Sequence, residues 1–236
     1  MTLVRKLKSH SGPKPALGAV RVSPIAIALV ALMVLVVAGG GTWAYRNSQV
    51  KQAATLKKQA MDAVKNRDMA TADSSIKASI KKNGKDPEAY FWLGIIRFNQ
   101  DDKKGAIDAY SKATDLKPDY AEAWNNLANV QRNNGDLDKA IASYQKALSI
   151  DSKLGQTYIN LAVVYEMKEN WAKALETVLT GTKQVTNRAD MWVLQGDIQD
   201  HQGQNDAAIA SYQQALKIDA TNPDAKAALD RLAKKR

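Results

Sequence analysis

The 236-residue chain has no cysteine, only two histidines and only two phenylalanines. The first absence excludes a disulfide framework, a thiolate nucleophile and a thiolate metal site. The histidines, His10 and His201, have no partner residues at ligand spacing, which argues against a zinc site. No nucleophile–base–orienter set stands out. The run Gly39-Gly40-Gly41 lacks the lysine that would make it a phosphate-binding loop. The sequence therefore predicts a protein that is not an enzyme, with no cofactor and no metal.

Charge is abundant and of mostly one sign. Lysine and arginine number 34 against 24 acidic residues, a formal charge of +10. Residues 1–21 hold Arg5, Lys6, Lys8, Lys14 and Arg21 and no acid, so much of the excess sits in this basic tail. Its place beside an apolar run fits attraction to anionic lipid better than nucleic-acid binding, and no nucleic-acid partner is expected.

The mean hydropathy of -0.39 conceals that apolar run. Residues 25–38 read IAIALVALMVLVVA, and the stretch 22–45 is uncharged throughout. That length suffices for a transmembrane helix, or signal anchor, and Trp43 and Tyr45 at its end suit the headgroup layer. A cleaved signal peptide is the alternative, since Val36-Val37-Ala38 ends in small residues. Arg46, Lys51, Lys57 and Lys58 follow the run before the first acid, Asp62. The slight charge bias favours a single-pass protein with its N-terminus cytoplasmic and the rest periplasmic or otherwise extracytoplasmic. The reverse orientation, or cleavage and secretion, stays open.

Beyond the run a pattern recurs every 34 residues. Large aromatics stand at Tyr90, Trp124, Tyr158 and Trp192. Four residues on come Gly94, Ala128, Ala162 and Gly196; then Ala106, Ala140, Ala174 and Ala208; then Ala113, Ala147, Gly181 and Ala215. A period of this length marks stacked helix pairs whose small residues let backbones approach, the aromatics filling the space between. Turns are expected at Gln100-Asp101-Asp102, Asn134-Gly135-Asp136, Glu169-Asn170 and Gly203-Gln204-Asn205. Two places depart from the pattern. Gln195 replaces a leucine, predicting a looser helix there. Val178, Thr180, Gly181 and Thr182 predict a loose or distorted helix.

The segment 121–152, AEAWNNLANVQRNNGDLDKAIASYQKALSIDS, resembles a tetratricopeptide repeat. Four such repeats fit 87–120, 121–154, 155–188 and 189–222. Residues 46–86 read as linker and degenerate first repeat, with Ala60, Ala72 and Ile76 in register. Residues 223–236 read as a capping helix. The resemblance implies an all-α, right-handed superhelical solenoid of antiparallel helix pairs, preceded here by the transmembrane helix.

It also implies a concave groove lined by the first helix of each pair, where a peptide or partner helix docks. Carried onto this chain, the groove positions are Phe91, Ile95 and Phe98, then Asn125, Asn126, Asn129, Arg132 and Asn133. The third repeat supplies Ile159, Asn160, Val163 and Glu166; the fourth supplies Asp190, Asp197, Asp200 and His201. Asn126 and Asn160 share one position in adjacent repeats, as in an asparagine ladder that holds peptide backbone. The lysine that a chaperone-type carboxylate clamp requires is missing, so chaperone C-termini are not the expected ligand.

Together these features predict a membrane-anchored interaction adaptor or scaffold, assisting assembly, secretion or maturation of envelope proteins. Its partners would be a protein or peptide and, through residues 22–45, the bilayer; oligomers are possible. A self-assembling structural scaffold and an adaptor resembling organelle import receptors are the alternatives.

Overall fold

The computed structural model describes residues 24–234, except the side chains of residues 24–28 and 30–39. The basic tail thus lies outside the described residues, as do nearly all side chains of the apolar run. Among the described residues, no helix is long and apolar enough to cross a membrane. The chain divides into two units, Met1–Ser48 and Gln49–Arg236. The first unit contributes the opening part of helix α1 (Pro24–Lys65).

The second unit is helical throughout its described residues. It comprises the end of α1, then α2 (Met69–Lys82), α3 (Pro87–Asn99), α4 (Lys103–Leu116), α5 (Ala121–Asn133) and α6 (Leu137–Ile150). There follow α7 (Gly155–Met167), α8 (Trp171–Gln184), α9 (Ala189–His201), α10 (Asn205–Ile218) and α11 (Pro223–Lys234). From α2 onward each helix packs on the next, and the first helices α5 and α7, and α7 and α9, also meet; Ala60 and Ala63 of α1 share a core cluster with Ala72 and Ile76 of α2. The result is a solenoid of stacked helix pairs.

Helix starts keep the 34-residue step beyond the four obvious units. Second helices begin at Met69, Lys103, Leu137, Trp171 and Asn205; Pro223 opens α11 one step after Ala189 opens α9. The reason lies in the turns. Positive φ recurs at Arg67, Asp101, Gly135, Glu169 and Gly203, between 56° and 85°. At each, the next residue's N–H returns to a carbonyl five back, as Asp68 to Ala63, Asp102 to Arg97 and Asn170 to Tyr165. These are Schellman closures, which satisfy the orphan carbonyls of a helix end. Asp68, Asp102 and Asn170 then cap the following helix through their side chains.

The small-residue positions are sealed. Ala106, Ala113, Ala128, Ala140, Ala147, Ala162, Ala174, Ala208 and Ala215 are fully buried, as are Ala60, Ala72 and Ile76 upstream. A Cβ added at Gly94 would stand 2.6 Å from the Tyr110 ring, and one at Gly196 would stand 2.5 Å from the Tyr212 ring. Glycine there makes room for the tyrosine of the partner helix.

Three sequence expectations are corrected. Helix α9 is regular, not loosened, because Gln195 is buried with its amide donating to Ser211 Oγ at 3.0 Å and its Oε1 accepting from Thr182. Helix α8 is likewise an unbroken 14-residue helix. Thr177 and Thr180 donate to carbonyls one turn back, and Gly181 admits Met191 Sδ within 2.6 Å of where its Cβ would be. Finally, the opening aromatics do not all fill the interior. Tyr158 is buried, whereas Tyr90, Trp124 and Trp192 are half-buried. Trp124 spends its Nε1 on the Pro118 carbonyl at 3.0 Å.

Candidate interaction surface

Helices α3, α5, α7 and α9 are the first helices of the four pairs, and side-chain hydrogen bonds cross from α5 to α7. Between α3 and α5 lies a recess of about 180 Å³, lined by Ile95, Phe98, Tyr110, Asn126, Asn129 and Val130. Phe98 is 41% exposed at its rim, unusual for so apolar a side chain. Phe91 faces elsewhere. It packs beside Trp124 and Ile107, with its ring 5.0 Å from that of Tyr120 and 5.8 Å from that of Tyr110. Phe91 is thus a packing residue, and of the chain's two phenylalanines only Phe98 lines the recess.

Between α5 and α7 runs an amide network. Asn129 Oδ1 accepts twice, from the Tyr144 hydroxyl at 2.6 Å and from Asn160 Nδ2 at 3.0 Å. Asn125 Oδ1 accepts from Thr157 Oγ1 at 2.9 Å, while its Nδ2 donates to Asn126 Oδ1 at 3.2 Å. Asn160 Oδ1 accepts from Gln156. Asn160 bonds to Asn129, and Asn125 and Asn129 are the amides of α5 that reach across to α7.

Arg132 stands one turn beyond Asn129. Its Nε donates to Asn133 Oδ1 at 3.4 Å, and it forms no ion pair among the described residues. Asn133 itself is exposed at the helix end, where its carbonyl accepts from Lys103.

The α7–α9 end is acidic. Loss of surrounding water holds the Glu166 carboxyl above its usual range; the Asp197 charge adds to this and His201 opposes it. Asp197 keeps an exposed edge, yet burial of its carboxyl also pushes it up, against the hydrogen bond from the Tyr212 hydroxyl at 2.7 Å. Asp200 pairs with Arg231 of α11 at 2.8 Å. His201 stacks on Trp171 of α8, ring centroids 3.6 Å apart. Asp190 pairs with its neighbour Arg188. Val163 and Ile159 are half-buried.

The tyrosines under this face belong to the repeat pattern, but sequence reasoning did not count them toward the groove. Tyr110, Tyr144 and Tyr212 share one position of the second helix, where the third repeat has Val178. Their partners on the first helix also share one position: Ile95, Asn129, Val163 and Asp197. Asn129 and Asp197 each accept from the tyrosine of their own repeat. Tyr110, opposite Ile95, lines the recess together with Asn126 of the next repeat. The paired variation at these two positions was readable in the sequence. Burial drives the Tyr144 hydroxyl up to about 12, so it stays a neutral hydrogen-bond donor.

No group of three or more metal-ligating side chains occurs among the described residues.

Parts of the repeat region match tetratricopeptide-repeat family models. The family model described as tetratricopeptide repeat matches 121–154, and a second, described as TPR repeat, matches 102–135 and 196–229. A region of 80 residues, 34% of the chain, is 31% identical to human superkiller complex protein 3, of whose length it spans 5%. The solved structure of MamA protein superposes with a TM-score of 0.65 at 19% identity, covering 72% of this chain and 93% of that one. YrrB, described as a TPR protein with an unusual peptide-binding site, superposes with a TM-score of 0.60 at 16% identity, covering 75% and 89%. At such identities the two structures establish the fold alone. Proteins of this fold are typically non-enzymatic protein–protein interaction scaffolds.

Proposed function

We propose that the chain is a membrane-anchored adaptor that captures a peptide or partner helix along the α3–α5–α7–α9 face. The observation that carries this reading is the recess between α3 and α5, where exposed Phe98 stands beside amides of the Asn126–Asn129 network. An exposed aromatic ringed by hydrogen-bonding amides suits a chain that offers both side chain and backbone. The peptide-binding site named for YrrB, on a like fold, supports the same use of this one. Membrane attachment rests on the uncharged stretch 22–45 and its flanking cations. Tethering would raise the local concentration of groove and envelope partner without new contacts.

Photocrosslinkers placed at Phe98 and Asn126 in cells test the reading. A partner trapped from these positions, and not from exposed Glu176 on α8, is the expected result. Equal yields from all three positions would remove the groove assignment. Protease treatment of intact cells reports on orientation: digestion of the repeats places them outside.

A further inference from the structure

Hydrogen bonds on the α5 face are spent unevenly. Both side-chain hydrogen bonds of Asn129 go to its Oδ1, and its Nδ2 donates to nothing among the described residues. Arg132, one turn on, uses only Nε, leaving the two terminal nitrogens of its guanidinium without a hydrogen bond or ion pair among the described residues. Both side chains are half-buried. This stretch of α5 therefore offers donors and a positive charge and has no acceptor left at Asn129. The apolar lining of the recess, Ile95, Phe98 and Val130, lies beside Asn129. The carboxylates of the face, Glu166 and Asp197, lie on α7 and α9 instead.

We infer that this part of the face takes an extended peptide in which an apolar residue is followed or preceded, one residue apart, by an acidic one. The inference rests on the groove reading above. The apolar side chain enters the recess, Asn129 Nδ2 donates to a peptide carbonyl, and Arg132 holds the carboxylate through its free guanidinium edge. Spacing agrees with this arrangement. Residues two apart in an extended chain point the same way, roughly 6.8 Å apart. Positions three apart on a helix are separated by about 5–6 Å. Charge sets the direction: the acidic residue lies over α5, because Glu166 and Asp197 would repel it further along.

Three pools of fluorescent nine-residue peptides, amidated at the C-terminus, test the inference on the detergent-solubilised full chain. Each pool fixes Leu and, two positions away in either order, Glu, Gln or Lys; the remaining positions mix Ala, Ser and Thr. The Glu pool is expected to bind about three- to tenfold more tightly than the Lys pool. Arg132→Gln should bring the Glu pool down to the level of the Gln pool and leave the Gln pool unchanged. Phe98→Ser should weaken all three, with melting curves verifying that both variants remain folded. Equal binding of Glu and Lys pools, or a preference that survives Arg132→Gln, overturns the acidic specificity while the groove reading stands. Failure of every pool to bind overturns both. Binding only by a fourth pool, whose carboxylate is a free C-terminus two positions from Leu, would show that the ligand is a chain terminus and overturn the acidic side chain.

Discussion

The second and third repeats have the same backbone and fill one pair of positions with opposite chemistry. In α5–α6, fully buried Tyr144 donates to Asn129, which also accepts from Asn160 across the repeat boundary. In α7–α8 the corresponding residues are Val178, fully buried, and Val163. The fourth repeat returns to the polar solution with Tyr212 and Asp197. In three of the four repeats this place holds a matched pair, both polar and bonded or both apolar, while the first sets Tyr110 opposite Ile95. A polar pair nevertheless does something an apolar one does not. It fixes the orientation of Asn129, so that its Nδ2 is left over for a ligand.

The largest break in this comparison is Tyr144→Ala. The side chain is fully buried, and its loss should cost about 3–5 kcal/mol, read as a lower urea midpoint. A smaller and more informative change is Asn129→Val. It copies half of the third repeat and strands the Tyr144 hydroxyl, at a cost of about 1–3 kcal/mol. Asn129→Val with Tyr144→Val copies the whole pair. The double variant should be more stable than the sum of its single changes implies, and a double-mutant cycle measures the coupling. Strict additivity would show that the two residues are not a unit.

Much of the fold was legible because a repeat states its rules several times. The helix pairs, the turns and the sealed small positions follow from side-chain size recurring at fixed spacing. What the period hid was the compensation for its exceptions. Gln195 reads as a defect in a linear pattern, yet Ser211 and Thr182 satisfy it from two other helices. Gly181 reads as a helix breaker, yet it makes the space that Met191 and Tyr158 occupy. On the candidate face, residue positions were legible and hydrogen-bond directions were not. Phe91 and Phe98 look equivalent in sequence, and only packing sends one inward and leaves the other exposed. The ladder of Asn126 and Asn160 is an expectation about a bound peptide; what the sequence did not show is that Asn160 already bonds across the repeats, to Asn129.

The turns extend the comparison between the same two repeats. Gly135 closes the first helix of the second repeat with φ 85°, and Glu169 closes that of the third with φ 56°. Only glycine takes this left-handed conformation without steric cost. Glu169→Gly should therefore stabilise by up to about 1 kcal/mol, and Gly135→Ala should destabilise by a similar amount. Thermal melts of the two variants should move in opposite directions. Shifts of reversed sign, lower for Glu169→Gly and higher for Gly135→Ala, would mean that loss of chain entropy, and not backbone strain, governs these closures.

The smallest expected effect separates two carboxylates at the acidic end. Glu166 is held above its usual range, chiefly by loss of water, whereas Asp190 is held below its usual range, chiefly by the hydrogen bond from Arg188. For Glu166 the folded state binds a proton more readily than the unfolded state. Its ionised form therefore opposes folding above the folded pKa, and that opposition disappears as pH falls to the ordinary carboxylate value of about 4.3 and below. Glu166→Gln never carries the charge. It should melt higher than the natural chain near neutral pH, by a few tenths of a kcal/mol given partial exposure, with the gap closing as pH drops. Asp190→Asn should do the opposite, melting lower near neutral pH, with its deficit vanishing as the native Asp190 protonates through its lowered pKa. If the Glu166→Gln gap were to persist unchanged below about pH 4, repulsion of a charge would not explain it, and side-chain packing would. A gap that closes has a further consequence for binding. A basic group on a ligand that reached Glu166 would relieve the same penalty, so the α7–α9 end should favour positive charge where the α5 end favours negative.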